Sequence, residues 1–292
     1  MGAGSRVKVN VDGALYSLDI QSGVVEGLIN QDGIIQDDNG RVWLSAGAAA
    51  ELKSNTINHS GITQANSLQV GPKGELILAS TDHVSLSGGS ELSVAGLNAG
   101  QINIQADTAM LGGVIDASST ESGAAGGKIE LDIENRLNLS GQLKATSGSG
   151  RGGFIGVEAG QIIQNSSSEL RVDGATGGYI HMDAGMGLLT SGAYSAYGHV
   201  GAGGMIDITG SDLRFFSATL NAAGQSMGGM VRLGGAFQGG KPVDPSTDYF
   251  DSFIGRWSAL STLSPSQKTF INDTTKIDVQ AQAGVGLSLI HI

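Results

Sequence analysis

Through the middle of the chain, apolar and polar residues alternate in short runs, each opened by a pair of glycines. The runs read GGKIEL (126–131), GGFIGV (152–157), GGYIHM (177–182), GGMIDI (203–208) and GGMVRL (228–233). In the first run Ile129 and Leu131 point to one side and Lys128 and Glu130 to the other. This is the period of a half-buried strand. A second alternating run recurs in each unit, as GVIDAS (113–118), GQLKAT (141–146), SELRVD (168–173) and ATLNAA (218–223). A third is kept more loosely, as RLNLSG (136–141), GLLTSG (187–192) and DLRFFS (212–217). The second glycines of the opening pairs, Gly127, Gly153, Gly178, Gly204 and Gly229, are spaced 26, 25, 26 and 25 residues apart. Weaker copies precede them as NGRVWL (39–44), KGELIL (73–78) and AGQINI (99–104).

A fixed period in this range marks a repeat architecture. Three short strands joined by Gly, Ser, Asn and Asp turns leave little room for helix. A unit this small cannot bury its own apolar face, so it must stack on its neighbours. The expected fold is all-β, a parallel β-helix with one coil per repeat of roughly 26 residues. Nine or so coils at about 4.8 Å each make a rod of roughly 40 Å. A β-sandwich of short strands is the competing architecture, but sandwich strands need not repeat a phrase. Glycine at the corners supplies either φ > 0 or room for close backbone approach. Small inward residues at Ala117, Ala145 and Ala222 let the coil narrow there. Ile102, Ile129, Ile155, Ile180, Ile206 and Val231 are predicted to form one inward column.

The repeat phrase stops over residues 236–267, which hold Pro242, Pro245 and Pro265 and the aromatics Phe237, Tyr249, Phe250, Phe253 and Trp257. This segment reads as an excursion from the rod, with a short helix predicted within 248–260 from its apolar spacing. The first outward residues of successive strands, Phe154, Tyr179, Met205 and Met230, predict an apolar stripe on the outside of the rod. An apolar surface of that kind is either an interaction site or covered. The expected cover is the excursion, Trp257 included; the sharper alternative is that stripe and loop together form a receptor or glycan surface.

Composition adds limits. The 292 residues include 48 glycines, four prolines and no cysteine, with a net charge of −11. An acidic balance argues against nucleic acid as the main partner. The absence of cysteine rules out disulfide staples, which a laddered solenoid does not need. No apolar run approaches the length of a membrane span. Residues 1–286 read as a single solenoid, and no apolar signal segment follows the MGAGSRVKVN start, so the true start reads as missing. The closing LSLIHI (287–292) breaks the polar, glycine-rich style and reads as sequencing-adapter readthrough.

Candidate chemistry is sparse. His59, His83, His181, His199 and His291 fall in no metal-ligand spacing, so neither metal nor cofactor is expected. Asp37 and Asp38 precede a turn but lack a calcium-loop pattern. Asp207 and Arg232 are predicted to be neighbours on successive coils, as a surface ion pair of small energetic weight. No second carboxylate stands beside Asp207 to make a glycosidase pair. Asn58, Asn138, Asn165 and Asn272 begin Asn-x-Ser/Thr triplets of the kind that arise by chance in such a composition. The chain is not expected to be an enzyme.

The order of phrases resembles one protein family. GLINQDGIIQ (27–36), GRVWLSA (40–46), the stretch 48–67, GVIDASS (113–119) and the interruption GGAFQGGKPVDP (234–245) are similar to the region just after the secretion domain of filamentous-haemagglutinin-type adhesins, the large exoproteins of two-partner secretion. The resemblance covers nearly the whole chain. It implies a right-handed β-helical shaft, exported across the outer membrane of a Gram-negative bacterium by a β-barrel transporter partner that engages a secretion domain missing from this sequence. It also implies a secreted or cell-surface protein that mediates attachment. Two alternatives are a carbohydrate-active β-helix enzyme, a lyase or hydrolase, and the stem of a contact-dependent growth-inhibition toxin.

Overall fold

The computed structural model describes residues 8–9, 15–19, 27–36, 40–46, 55–64, 74–235, 263–283 and 289–291; of 8–9, 15–19, 27–28, 46, 55 and 289–291 only the strand placement is described. Among the described residues every regular element is a strand. All pairings are parallel except that of Lys8–Val9 with Leu15–Asp19. The chain winds as a solenoid with three strand-bearing faces. The glycine-pair runs form the first face, the looser runs the second, and the third is a separate nine-stranded sheet. The helix expected within 248–260 lies outside the described residues.

In four successive coils the first two faces are a single bent strand: Gln101–Leu111, Lys128–Leu139, Phe154–Gln164 and Tyr179–Thr190. The register shifts at the bend, between Ala106 and Thr108, Ile133 and Arg136, and Ala159 and Gln161. A bulge there turns the strand without ending its ladder. Elsewhere the two faces are separate strands, as in Met205–Gly210 and Asp212–Phe215.

Alternation gives each face one inward set. Ile102, Ile129, Ile155, Ile180, Ile206 and Val231 stand opposite one another on successive coils, each with 0% exposure. The third face adds Leu92, Ile115, Leu143, Leu170, Tyr194 and Leu220, all buried. Burial of stacked aliphatic columns is the main stabilising term, because no single coil has an interior of its own. The core is not wholly apolar. Gln164 and Thr190 are buried on the inner side of the second face, and the Tyr194 hydroxyl sits between the Gln164 Oε1 and the Thr190 Oγ1.

The glycine pair closes each coil. The N–H of Gly100, Gly127, Gly153, Gly178, Gly204 and Gly229 donates to the carbonyl of Val94, Ala117, Ala145, Val172, Ala196 and Ala222, at 2.7–3.0 Å. Sequence reading left two reasons for glycine open, and close approach is the operative one. A Cβ on any of these six would lie 2.0–2.2 Å from the carbonyl oxygen of its counterpart one coil earlier. None of the six has positive φ.

Residues 236–262, within the segment read as an excursion, lie outside the described residues, and the chain on either side of them meets at the corner between the first and second faces. Met230–Leu233 belongs to the first face, and Lys268–Ile271 resumes on the second, paired to Asp212–Phe215. The departure point is left-handed, with Gly234 at φ 76°. Exit and return touch each other: the Ser266 N–H donates to the Gly234 carbonyl at 2.7 Å. The ladder therefore keeps its phase across the interruption, and Lys276–Asp278 follows on the third face. Residues Leu289–His291, within the segment read as adapter, pair in parallel with Met230–Arg232. Apolar alternation suffices for that pairing whatever the origin of the segment.

Candidate interaction face

The outward side of the first face is where the side chains singled out from the sequence come together. Register places them in three columns. The first runs Arg41, Glu75, Gln101, Lys128, Phe154, Tyr179, Met205, Met230. The middle column runs Trp43, Ile77, Asn103, Glu130, Gly156, His181, Asp207, Arg232. The third includes Gln105, Asp132, Glu158, Asp183 and Thr209.

Phe154, Tyr179, Met205 and Met230 thus form one column, but not one surface. Phe154 and Tyr179 are half-buried and pack as a tilted ring pair with centroids 5.4 Å apart. Met205 and Met230 are only 1% and 4% exposed. Alternation ends here: both sides of Met205–Thr209 and of Met230–Leu233 are buried. Of the segment expected to cover them, only residues 263–267 are described. Leu263 is buried, and the Thr209 hydroxyl donates to the Ser264 carbonyl at 2.5 Å. Trp257, and with it Phe237, Tyr249, Phe250 and Phe253, lies outside the described residues.

The Asp207–Arg232 pair corrects the sequence reading. It exists between successive coils, but it is buried rather than at the surface. Asp207 is 0% exposed and Arg232 7%. The guanidinium grips the carboxylate with both prongs, Nε to Oδ1 at 2.6 Å and Nη2 to Oδ2 at 2.5 Å. The Tyr179 hydroxyl donates to Oδ2 at 2.9 Å, and the His181 Nδ1 lies 3.3 Å from the same hydroxyl. A hydroxyl has one proton to give, so with that proton on Asp207 the Nδ1 of His181 is the donor in its contact. Burial, reinforced by the Asp207 charge, pushes the Tyr179 hydroxyl well above the usual phenol range. Both oxygens of Asp207 are engaged, and the group reads as a clasp between coils.

Below the clasp the face opens into a groove of about 540 Å³. Trp43 stands at one end and Phe154 and His181 at the other, with Asn103, Glu130 and Glu158 among the groups between them. The Phe154 ring lies over Gly156, where an added Cβ would meet it at 2.8 Å. Lys128 is held by Glu130 at 2.7 Å and sits 5.6 Å from the centre of the Phe154 ring. Sequence reading did not single out this groove. Its signal was available in the register, which stacks Trp43 and Gly156 in one column.

No family model matches the chain, and no curated protein is similar enough in sequence to match. Among solved structures the chain is similar to the HMW1 secretion domain from Haemophilus influenzae. The TM-score is 0.53 at 17% identity, and the match covers 96% of this chain and 82% of that one. At this identity the likeness is one of fold, and it extends over almost the whole length of the chain.

Proposed function

We propose that the chain is a structural shaft of a secreted bacterial surface adhesin, a rod that carries or presents attachment surfaces. The observation that carries this reading is the parallel solenoid itself, whose likeness to the HMW1 secretion domain spans 96% of the chain. The resemblance of its phrases to filamentous-haemagglutinin-type exoproteins points the same way. The buried clasp at Asp207 and the aliphatic columns serve length and rigidity. On this reading a β-barrel transporter exports the parent protein, and a host receptor or glycan is its target.

A second reading is favoured by one specific observation. The similar solved structure is itself a secretion domain, and 82% of it is matched. The resemblance of its phrases, by contrast, implies a place just after such a domain. On the second reading the chain is that domain and its partner is the transporter. Deleting these residues from the parent gene separates the two. Export that persists with reduced attachment supports the shaft; loss of export with the transporter present supports the secretion domain. Parent protein that remains in the cytoplasm when complete and co-expressed with its neighbouring transporter overturns both.

A further inference from the structure

We infer that the groove between Trp43 and Phe154 binds an uncharged, hydroxyl-rich glycan chain lying along the rod axis. Trp43 is 45% exposed, an unusual degree for so large a ring, and stands at one end of the groove. The Phe154 ring reaches over Gly156 at the other. Between them the middle column offers Ile77, Asn103 and Glu130, and its neighbours are planar amides and carboxylates, Gln105, Asp132 and Glu158 among them. Ring faces flanking planar hydrogen-bonding groups suit the alternating C–H and O–H surfaces of a sugar. The coils repeat these groups every 4.8 Å or so, close to the length of one sugar ring.

Charge narrows the ligand. Glu130, Asp132 and Glu158 line the groove, and in the flanking column Lys128 is already bound to Glu130 and set against Phe154 while Arg41 is bound to Glu75. Like charge disfavours uronates, sulfated chains and other polyanions. A basic peptide would satisfy the charge but not its own backbone. The first face is laddered on both sides through this region, so it presents no free strand edge for a peptide to extend. A sugar needs only side chains and ring faces.

The inference concerns this groove and does not depend on the export route. The test is calorimetric titration of the full chain with uncharged hexasaccharides (cellohexaose, maltohexaose and N-acetylated chitohexaose), with heparin fragments, and with a Lys/Arg-rich peptide. At least one uncharged hexasaccharide should bind, with little salt dependence, while heparin does not. Trp43→Ala and Phe154→Ala should each weaken that binding about tenfold, as expected for loss of a stacking ring. Both variants should keep the wild-type far-ultraviolet spectrum and a cooperative melt, with Phe154→Ala melting slightly lower because its ring also packs on Tyr179. No binding of any uncharged hexasaccharide at millimolar concentration, binding of heparin or the peptide alone, or binding indifferent to both substitutions overturns the inference.

Discussion

Asp207 shows how much a residue's weight depends on its surroundings. On an exposed coil its pairing with Arg232 would contribute about 0–1 kcal/mol. Here both partners are buried and the carboxylate also accepts from Tyr179. Removing one partner leaves a charge in a dry site, so Asp207→Ala should cost about 3–5 kcal/mol in denaturant unfolding. Replacing both partners with apolar residues should recover most of that. A cost below about 1 kcal/mol for Asp207→Ala would return the pair to the surface class. His59 makes a second case. Its ring is 1% exposed, with Nε2 2.9 Å from the Thr63 Oγ1 and Gln31 opposite it on the preceding coil. Burial lowers its pKa from 6.5 to about 4. The unfolded chain therefore binds the proton more readily than the folded one. The stabilisation from neutral His59 is complete above pH 6.5 and is lost as pH falls toward 4. The full span is on the order of 3 kcal/mol. Unfolding free energies measured from pH 7.5 to 4.5, roughly that window, should fall more steeply in the wild type than in His59→Gln. Parallel curves would show that His59 does not couple folding to pH.

Among the elements, the strands on either side of residues 236–262 stand apart, because the ladder closes across those residues. Gly234 and Ser266 are hydrogen-bonded to each other, and Gln267 and Lys268 both donate to the Ser211 carbonyl. Exit and return are thus pinned side by side on the preceding coil. Replacing residues 236–262 with a two-glycine link should leave the far-ultraviolet spectrum and the cooperative melt intact. The same deletion tests whether the excursion is what covers Met205 and Met230: if so, binding of a hydrophobic dye should rise sharply. Loss of the cooperative melt would mean that the interruption is integral to the rod. An unchanged dye signal would mean that Met205 and Met230 owe their burial to the described segment around Leu263.

For the whole molecule, stability should behave as a chain of neighbours. Each coil contacts mainly the coils above and below it, so a solenoid's free energy is close to a sum of unit and interface terms. Ile180 lies in the middle of the inward column, between Ile155 and Ile206. Ile180→Asp puts an unpaired charge where only apolar stacking is available, at a cost well beyond the 2–5 kcal/mol or so of a simple truncation. The rod should then melt as two transitions, one for each side of the substitution. A single, barely shifted transition would mean that cooperativity does not run through this column.

The sequence alone determined the period, the three strands per coil and the inward columns. Strand alternation is local, and a fixed repeat places each residue against its counterpart one coil away. For that reason Asp207 and Arg232 could be paired from the sequence, and so could the column from Phe154 to Met230. Tertiary structure decided what lies over the outer side of each strand. Alternation distinguishes inside from outside, but it does not say whether the outside meets water. Asp207 and Arg232 read as a surface pair, yet both are buried, and so are Met205 and Met230, outward as the alternation places them. The reason for the glycine pairs was also settled only in three dimensions. Positive φ and close approach demand the same residue in a sequence, and only the carbonyl of the preceding coil, filling the place of the missing Cβ, tells them apart.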